Sequence, residues 1–205
     1  MDAVILLNKP AGMTSFDAVA KCRKIFHERK IGHTGTLDPE ASGLMIILLG
    51  KYTKLLPYCV KNHKAYQATL KLGEMTDTED IWGTVIDTKT PSNHTSEEIH
   101  KAVQTLTGDI LQVPPMYSAL KKDGKKLYEY ARQGIEIERE ARPVHISSLK
   151  VEKIDETNYR MNAVVSSGTY IRTLIADFGK KLNELAIMSS LIRTKIENLS
   201  LDDAC

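Results

Sequence analysis

VHISSLKVEKI (residues 144–154) and YRMNAVV (residues 159–165) are joined by the four polar residues DETN (residues 155–158). Apolar and polar positions alternate in both arms, the period of a strand with one buried face, and the short link turns the chain back on itself. This pattern predicts two adjacent antiparallel strands. Ser166-Ser167-Gly168-Thr169-Tyr170-Ile171-Arg172 follows, and Thr169 is read as opening a helix. Ile171, Leu174, Ile175, Phe178 and Leu182 give that helix one apolar face.

Working outward, Ile110 to Val113 is a brief apolar run ended by Pro114-Pro115. Thr95 with Glu98 makes a capping box for a helix that stops at Gly108. Tyr66, Ala68, Leu70 and Leu72 alternate with polar residues as in a half-buried strand, and Leu44 to Leu49 is a continuous apolar strand. Val4 to Leu7 is a strand running into the turn Asn8-Lys9-Pro10-Ala11-Gly12. A helix capped by Thr14 or Ser15 reaches about Phe26, with Phe16, Val19, Cys22 and Phe26 expected to be its buried stripe. Met116 to Arg142 is polar and basic, with helix pattern around Lys125 to Arg132, and reads as an excursion from the core. Strands and helices mix without strict βαβ alternation. The expected fold is therefore α+β with a mixed, mainly antiparallel central sheet, one domain over 1–205 and an insertion at about 115–142.

Composition bounds the function. The 205 residues are 42% hydrophobic and 26% charged, an ordinary globular balance. The longest apolar run is too short to span a bilayer. The N-terminus lacks a basic region ahead of its apolar run, so no secretory signal is expected. Cys22, Cys59 and Cys205 are odd in number and form no CxxC, which excludes a disulfide scaffold or cysteine zinc site and suggests a soluble cytoplasmic protein. Net charge is only +2, yet basic residues cluster at 21–30 and at 121–132. Either cluster alone reads as a solvated helix face; two in a nearly neutral chain point to a polyanionic partner.

The most unusual segment is GHTGTLDP, residues 32–39. Gly32 and Gly35 permit close backbone approach, and an imidazole, two hydroxyls and a carboxylate fall within six residues. A P-loop ending and GxGxxG are both absent. The histidines (27, 33, 63, 94, 100, 145) have no HxxxH or HExxH spacing, so no metal is expected. Asp38 by itself reads equally as a turn carboxylate before Pro39. Arg172 sits in a first helical turn, where the dipole disfavours a cation; by itself it reads first as a surface arginine, and otherwise as one held by a carboxylate or phosphate.

Together the segments NKPAGMTS (8–15), GHTGTLDPEASGLM (32–45), KAY (64–66), PPMYSALKKDGKKLYEYARQG (114–134) and SGTYIRTL (167–174) resemble the bacterial TruB-type tRNA pseudouridine-55 synthases, over essentially the whole chain. The resemblance implies the pseudouridine synthase fold and an enzyme that isomerises uridine 55 in the T-loop of tRNA. The ribose C1′ bond moves from uracil N1 to C5, with no metal, nucleotide or redox cofactor. Asp38 matches the nucleophilic aspartate, and two routes fit it: attack on C1′, or expulsion of uracilate through a glycal. Arg172 matches the arginine that pairs with the nucleophile. Tyr66 matches the tyrosine that stacks on the target base, and His33 the histidine that supports the flipped-out nucleotide. Tyr170 and Leu191 match positions lining the uridine pocket, and Lys9 supports the neighbouring loop.

The basic excursion corresponds to a thumb-like RNA-gripping insertion, with Lys121, Lys122, Lys125, Lys126 and Arg132 meeting phosphates. The expected partner is the T-arm of tRNA, with neither DNA nor membrane, and the expected state is a monomer. Departures occur where the family carries a Gly-rich stretch and a closing Gly-aromatic pair: here stand ELAIMSS (184–190) and KIENL (195–199). No C-terminal PUA-type domain is expected within the 205 residues. A tRNA chaperone and a glycosidase are the competing readings. The trio Asp38, Tyr66 and Arg172 disfavours the first, and the missing second carboxylate disfavours the other.

Overall fold

The computed structural model describes residues 1–59 and 63–205. Ala3–Lys9 forms β1, and a turn delivers Thr14 as N-cap of α1 (Ser15–Phe26). Thr14 Oγ1 accepts from Asp17 N while the Asp17 carboxylate accepts from Thr14 N, a reciprocal capping box. Gly32 and His33 belong to β2 (Ile31–His33) and pair with Leu48 and Ile47 of β3 (Ser42–Leu49). A 3-10 helix (Gly50–Leu55) and α2 (Leu56–Cys59) precede β4 (Lys64–Leu72).

A small hairpin, β5 (Glu74–Thr76) with β6 (Val85–Thr88), leads to α3 (Ser96–Thr105), which carries the expected Thr95–Glu98 capping box. β7 (Gly108–Gln112) starts at Gly108 itself. The excursion folds as a ribbon, β8 (Lys121–Lys122) with β9 (Lys125–Lys126), followed by α4 (Leu127–Ala131). The helix begins later than the sequence pattern suggests because Lys125 and Lys126 pair with Lys122 and Lys121. Asp123 and Gly124 make the connecting turn, both at positive φ. The alternating arms form β10 (Arg142–Lys153) and β11 (Asn158–Val165), then come α5 (Ile171–Lys181), β12 (Ala186–Ile196) and β13 (Leu199–Ser200).

Strand order in the nine-stranded sheet is β1-β3-β12-β4-β11-β10-β7, with β2 beside β3 and β13 beside β12. β1 and β2 run antiparallel to β3, β7 runs antiparallel to β10, and β12 runs parallel to β3. The fold is α+β with a mainly antiparallel central sheet, as expected. The long β12 has no counterpart in the sequence reading.

The chain forms two compact units: residues 1–67, 162–167 and 190–205, and residues 68–161 and 168–189. In the first, Leu44, Ile46, Leu48 and Ile196 pack with Leu6, Leu56, Leu201 and Ala204. β3 is buried on both faces from Gly43 to Leu49, which accounts for its unbroken apolar run. α1 buries Ser15, Ala18, Val19 and Cys22, the i, i+3, i+4, i+7 face. Phe16 is not in that stripe: it is 67% exposed, 100° round the helix from Ser15 at the α-helical repeat of about 3.6 residues per turn. Phe26 is half-buried. In the second unit, α5 buries Ile171, Leu174, Ile175 and Phe178 as expected, and α3 lies against β10 and α5.

Candidate active site

The first unit presents Asp38 on a connection whose backbone is tied down on every side. Each carbonyl from Gly35 to Pro39 accepts a hydrogen bond. Arg193 Nη2 donates to Gly35 O at 3.1 Å, and Nη1 to Thr36 O at 3.4 Å. Ser15 Oγ donates to Leu37 O and accepts from Leu37 N, at 3.1 and 2.9 Å. Ala41 N donates to Asp38 O. Pro39 O receives Gly12 N, Met13 N and, at 3.1 Å, Lys9 Nζ. A loop whose polar groups are satisfied internally holds its side chains in one place.

Two of these clamps are buried cations. Arg193, on β12, is 1% exposed and also donates from Nε to Leu44 O at 2.7 Å. Lys9, at the end of β1, is fully buried, and its Nζ also reaches Pro10 O and Met13 O at 2.8 and 2.7 Å. Burial lowers the Lys9 pKa from its ordinary value, and the Glu40 and Asp38 carboxylates oppose that shift. Lys64, at the start of β4, is buried as well, and burial and Arg193 both lower its pKa. A Cβ placed on Gly35 would stand 3.5 Å from both Lys64 Cε and Arg193 Nη1. Three buried cations thus border the loop that carries Asp38.

His33 leads into the same loop from β2 and is half-buried; burial lowers its pKa, which favours the neutral ring at pH 7. Tyr66 lies half-buried on β4, and Leu191 is buried on β12. Asp38, His33, Tyr66, Leu191 and Lys9 therefore all belong to the first unit.

Tyr170, Arg172 and the thumb lysines belong to the second. Tyr170 is the N-cap of α5, and the buried Gln112 fixes its backbone by donating to Tyr170 O at 3.1 Å and accepting from Tyr170 N at 2.8 Å. Arg172 is buried in the first turn; Nη1 donates to Thr78 O and Nη2 to Tyr117 O, each at 2.9 Å. Asp80 Oδ2 lies 4.0 Å from its Nε, a carboxylate neighbour of the kind expected for a cation at a helix start.

Lys121, Lys122 and Lys125 are exposed on the β8–β9 ribbon. Lys122 Nζ donates to Glu138 O, and Lys125 stands over the Tyr130 ring at 5.8 Å. Lys126 and Arg132 stand over Tyr128 at 5.4 and 5.1 Å. Among the described residues no group of three or more His, Cys, Asp or Glu could hold a metal ion, and no helix is long and apolar enough to cross a membrane.

The chain as a whole is similar to known proteins. Residues 23–171 fit the profile of the TruB family pseudouridylate synthase N-terminal domain. The chain belongs to the TruB family. It is 50% identical over 94% of its length to tRNA pseudouridine synthase B of Clostridium perfringens (strain SM101 / Type A), covering 66% of that relative. It is 46% identical over 99% of its length to the Bacillus subtilis (strain 168) protein of the same name, covering 68% of it. Among solved structures, a Cbf5-Nop10-Gar1 complex matches with a TM-score of 0.73 and 30% identity, over 94% of this chain and 48% of that one. This TruB chain thus spans about two thirds of the length of its curated relatives.

Sequence reasoning passed over Arg193 and the second role of Ser15. Arg193 stands in Leu191-Ile192-Arg193-Thr194, where a lone arginine among apolar residues reads as a surface position. Its burial follows from the parallel pairing of β12 with β3, which no local pattern announces.

Proposed function

We propose that this chain isomerises uridine 55 of the tRNA T-loop to pseudouridine, with the Asp38 carboxylate as the reacting group. The observation that carries the reading is the immobilised 35–39 backbone, every carbonyl of which is bound within the first unit. A nucleophile held in a single geometry gains rate from orientation alone. The relatives named tRNA pseudouridine synthase B support tRNA as the substrate.

In this reading the target nucleotide is extruded from the T-loop, which costs roughly a few kcal/mol of unstacking. The Tyr66 ring offsets part of that cost by stacking on the uracil, and Leu191 supplies an apolar wall. Neutral His33 supports the everted nucleotide by hydrogen bonding rather than by charge. Asp38 acts at the ribose–base junction; the C1′–N1 bond breaks, the uracil turns, C1′ bonds to C5, the C5 proton leaves with Tyr66 close to that carbon, and N1 takes up a proton, so that the product is an isomer of the substrate. Tyr170 and Arg172 carry the remaining uridine-binding and charge-pairing roles of the family. The thumb lysines grip phosphates and add affinity without base choice.

The test is Asp38→Asn, assayed by mass-shift mapping of pseudouridine in a tRNA. Pseudouridine formation is expected to vanish while tRNA binding survives. Turnover comparable to wild type would overturn the assignment.

A further inference from the structure

We infer that the outward face of α1 is a second RNA-backbone contact, gripping phosphates beside the target nucleotide independently of the thumb. The inference rests on RNA being the substrate, and it deepens that reading.

The first observation is where the helix starts. Ser15, its first residue, holds Leu37, and Gly12 and Met13 just before it hold Pro39, so α1 starts against the loop that presents Asp38. At 1.5 Å per residue, Lys21 and Lys24 lie roughly 9 and 14 Å along the axis from Ser15. That distance suits phosphates next to an everted nucleotide. Gly12, Met13, Asp17, Ala20, Lys21 and Lys24 line one shallow depression of about 360 Å³, which runs from the turn behind the loop onto the helix.

The second observation is charge. Lys21, Arg23, Lys24, Arg29 and Lys30 are all exposed. The two acids in the same stretch are already committed. The Asp17 carboxylate is taken by Thr14 N and Thr14 Oγ1 at 3.1 and 2.5 Å. Glu28 is taken by the Met1 ammonium at 2.6 Å and by Lys30 N at 3.0 Å. Glu28 is neutralised by the Met1 ammonium and Asp17 keeps its single charge beside Lys21, so the five cations leave the surface strongly positive. Third, the face is not purely polar: Phe16 stands 67% exposed with the Arg23 guanidinium 5.9 Å over its ring. An aromatic backed by a cation suits a sugar–phosphate strand better than bulk water.

The variant K21Q/K24Q keeps helix propensity and touches neither the loop clamps nor the buried face. The experiment measures its binding to the tRNA between 50 and 200 mM salt, with thermal melting by circular dichroism as folding control and pseudouridine formation by wild type measured alongside. Removing two phosphate-binding charges should flatten the log–log salt slope by about 1.4–1.8 and weaken binding. An unchanged slope and affinity in a folded variant overturns the surface, and pseudouridine formation by wild type would then leave the functional reading standing. A flattened slope with no pseudouridine formed by wild type upholds the surface and overturns the functional reading. Absence of tRNA binding by wild type overturns both.

Discussion

Gly43 and Arg193 face each other across the parallel β3–β12 pair, so close that a Cβ on Gly43 would stand 2.3 Å from the Arg193 carbonyl oxygen. Gly43 also holds φ at +112°, a conformation that side chains other than hydrogen rarely adopt. The clash is with backbone, which cannot swing away as a side-chain tip could. Gly43→Ala should therefore cost at least about 1–3 kcal/mol of stability. Urea unfolding followed by circular dichroism checks this; a midpoint equal to wild type would mean that the strands separate freely at this point.

The same pairing aims the Arg193 side chain at the 35–39 loop. Its guanidinium serves Leu44 O, Gly35 O and Thr36 O together, a fork that a single ammonium cannot reproduce. Arg193→Lys should keep the fold and tRNA affinity but let the backbone before Asp38 relax. A shift of about 1 Å in a reacting group lowers rate by roughly a hundredfold. Single-turnover pseudouridine formation at saturating tRNA is the measurement, and a wild-type rate constant would show that Ser15 and Lys9 suffice to hold the loop.

Glu79 offers a pH signature. Burial raises its carboxyl pKa, and the Thr173 hydrogen bond (2.7 Å) and the Arg172 charge oppose the rise only in part. Between its ordinary value of 4.5 and the raised folded value, the folded state binds more protons than the unfolded state. Stability contributed by this group therefore falls as pH rises through that window and is level above it. Glu79→Gln keeps an acceptor for the Thr173 hydroxyl and removes the titration. Unfolding free energies at pH 5 and pH 8 should show a smaller alkaline loss in the variant. Equal losses in both proteins would mean that the carboxyl titrates alike folded and unfolded.

What the sequence shows and what it conceals divides along local and non-local physics. β10 and β11 were legible because alternation and a polar turn are local, and the family because its motif segments are contiguous in sequence. β12 was not, because Ser189-Ser190 and Thr194-Lys195 break its apolar pattern although the strand lies inside the sheet. The Arg193 clamp joins residues 158 apart, a distance over which no periodicity reports. Phe16 misled for the opposite reason: apolarity marked it as core, while the helical repeat gave the buried face to Ser15, Ala18, Val19 and Cys22. The hydroxyl of Ser15 is the part of that face that reaches the 35–39 loop.

The thumb provides the last test. Lys121, Lys122 and Lys125 are exposed on a two-residue-per-arm ribbon whose turn is set by Asp123 and Gly124 at positive φ. Behind the ribbon, the buried Leu127 anchors α4, and Tyr130 passes under Lys125. The three ammonium groups are displayed on a formed support, so neutralising them removes charge, the Lys122 bond to Glu138 O and the Lys125 contact with Tyr130 while leaving the anchoring Leu127 in place. The triple variant K121Q/K122Q/K125Q should bind tRNA more weakly, with a salt slope flatter by about 2–3, because each phosphate left unneutralised keeps its condensed counterions. Its single-turnover rate on saturating tRNA should stay near wild type if the lysines meet backbone and not the uracil. If the slope were unchanged, the thumb would lie off the RNA; if the saturated rate fell with it, the ribbon would be positioning the nucleotide as well as holding the strand.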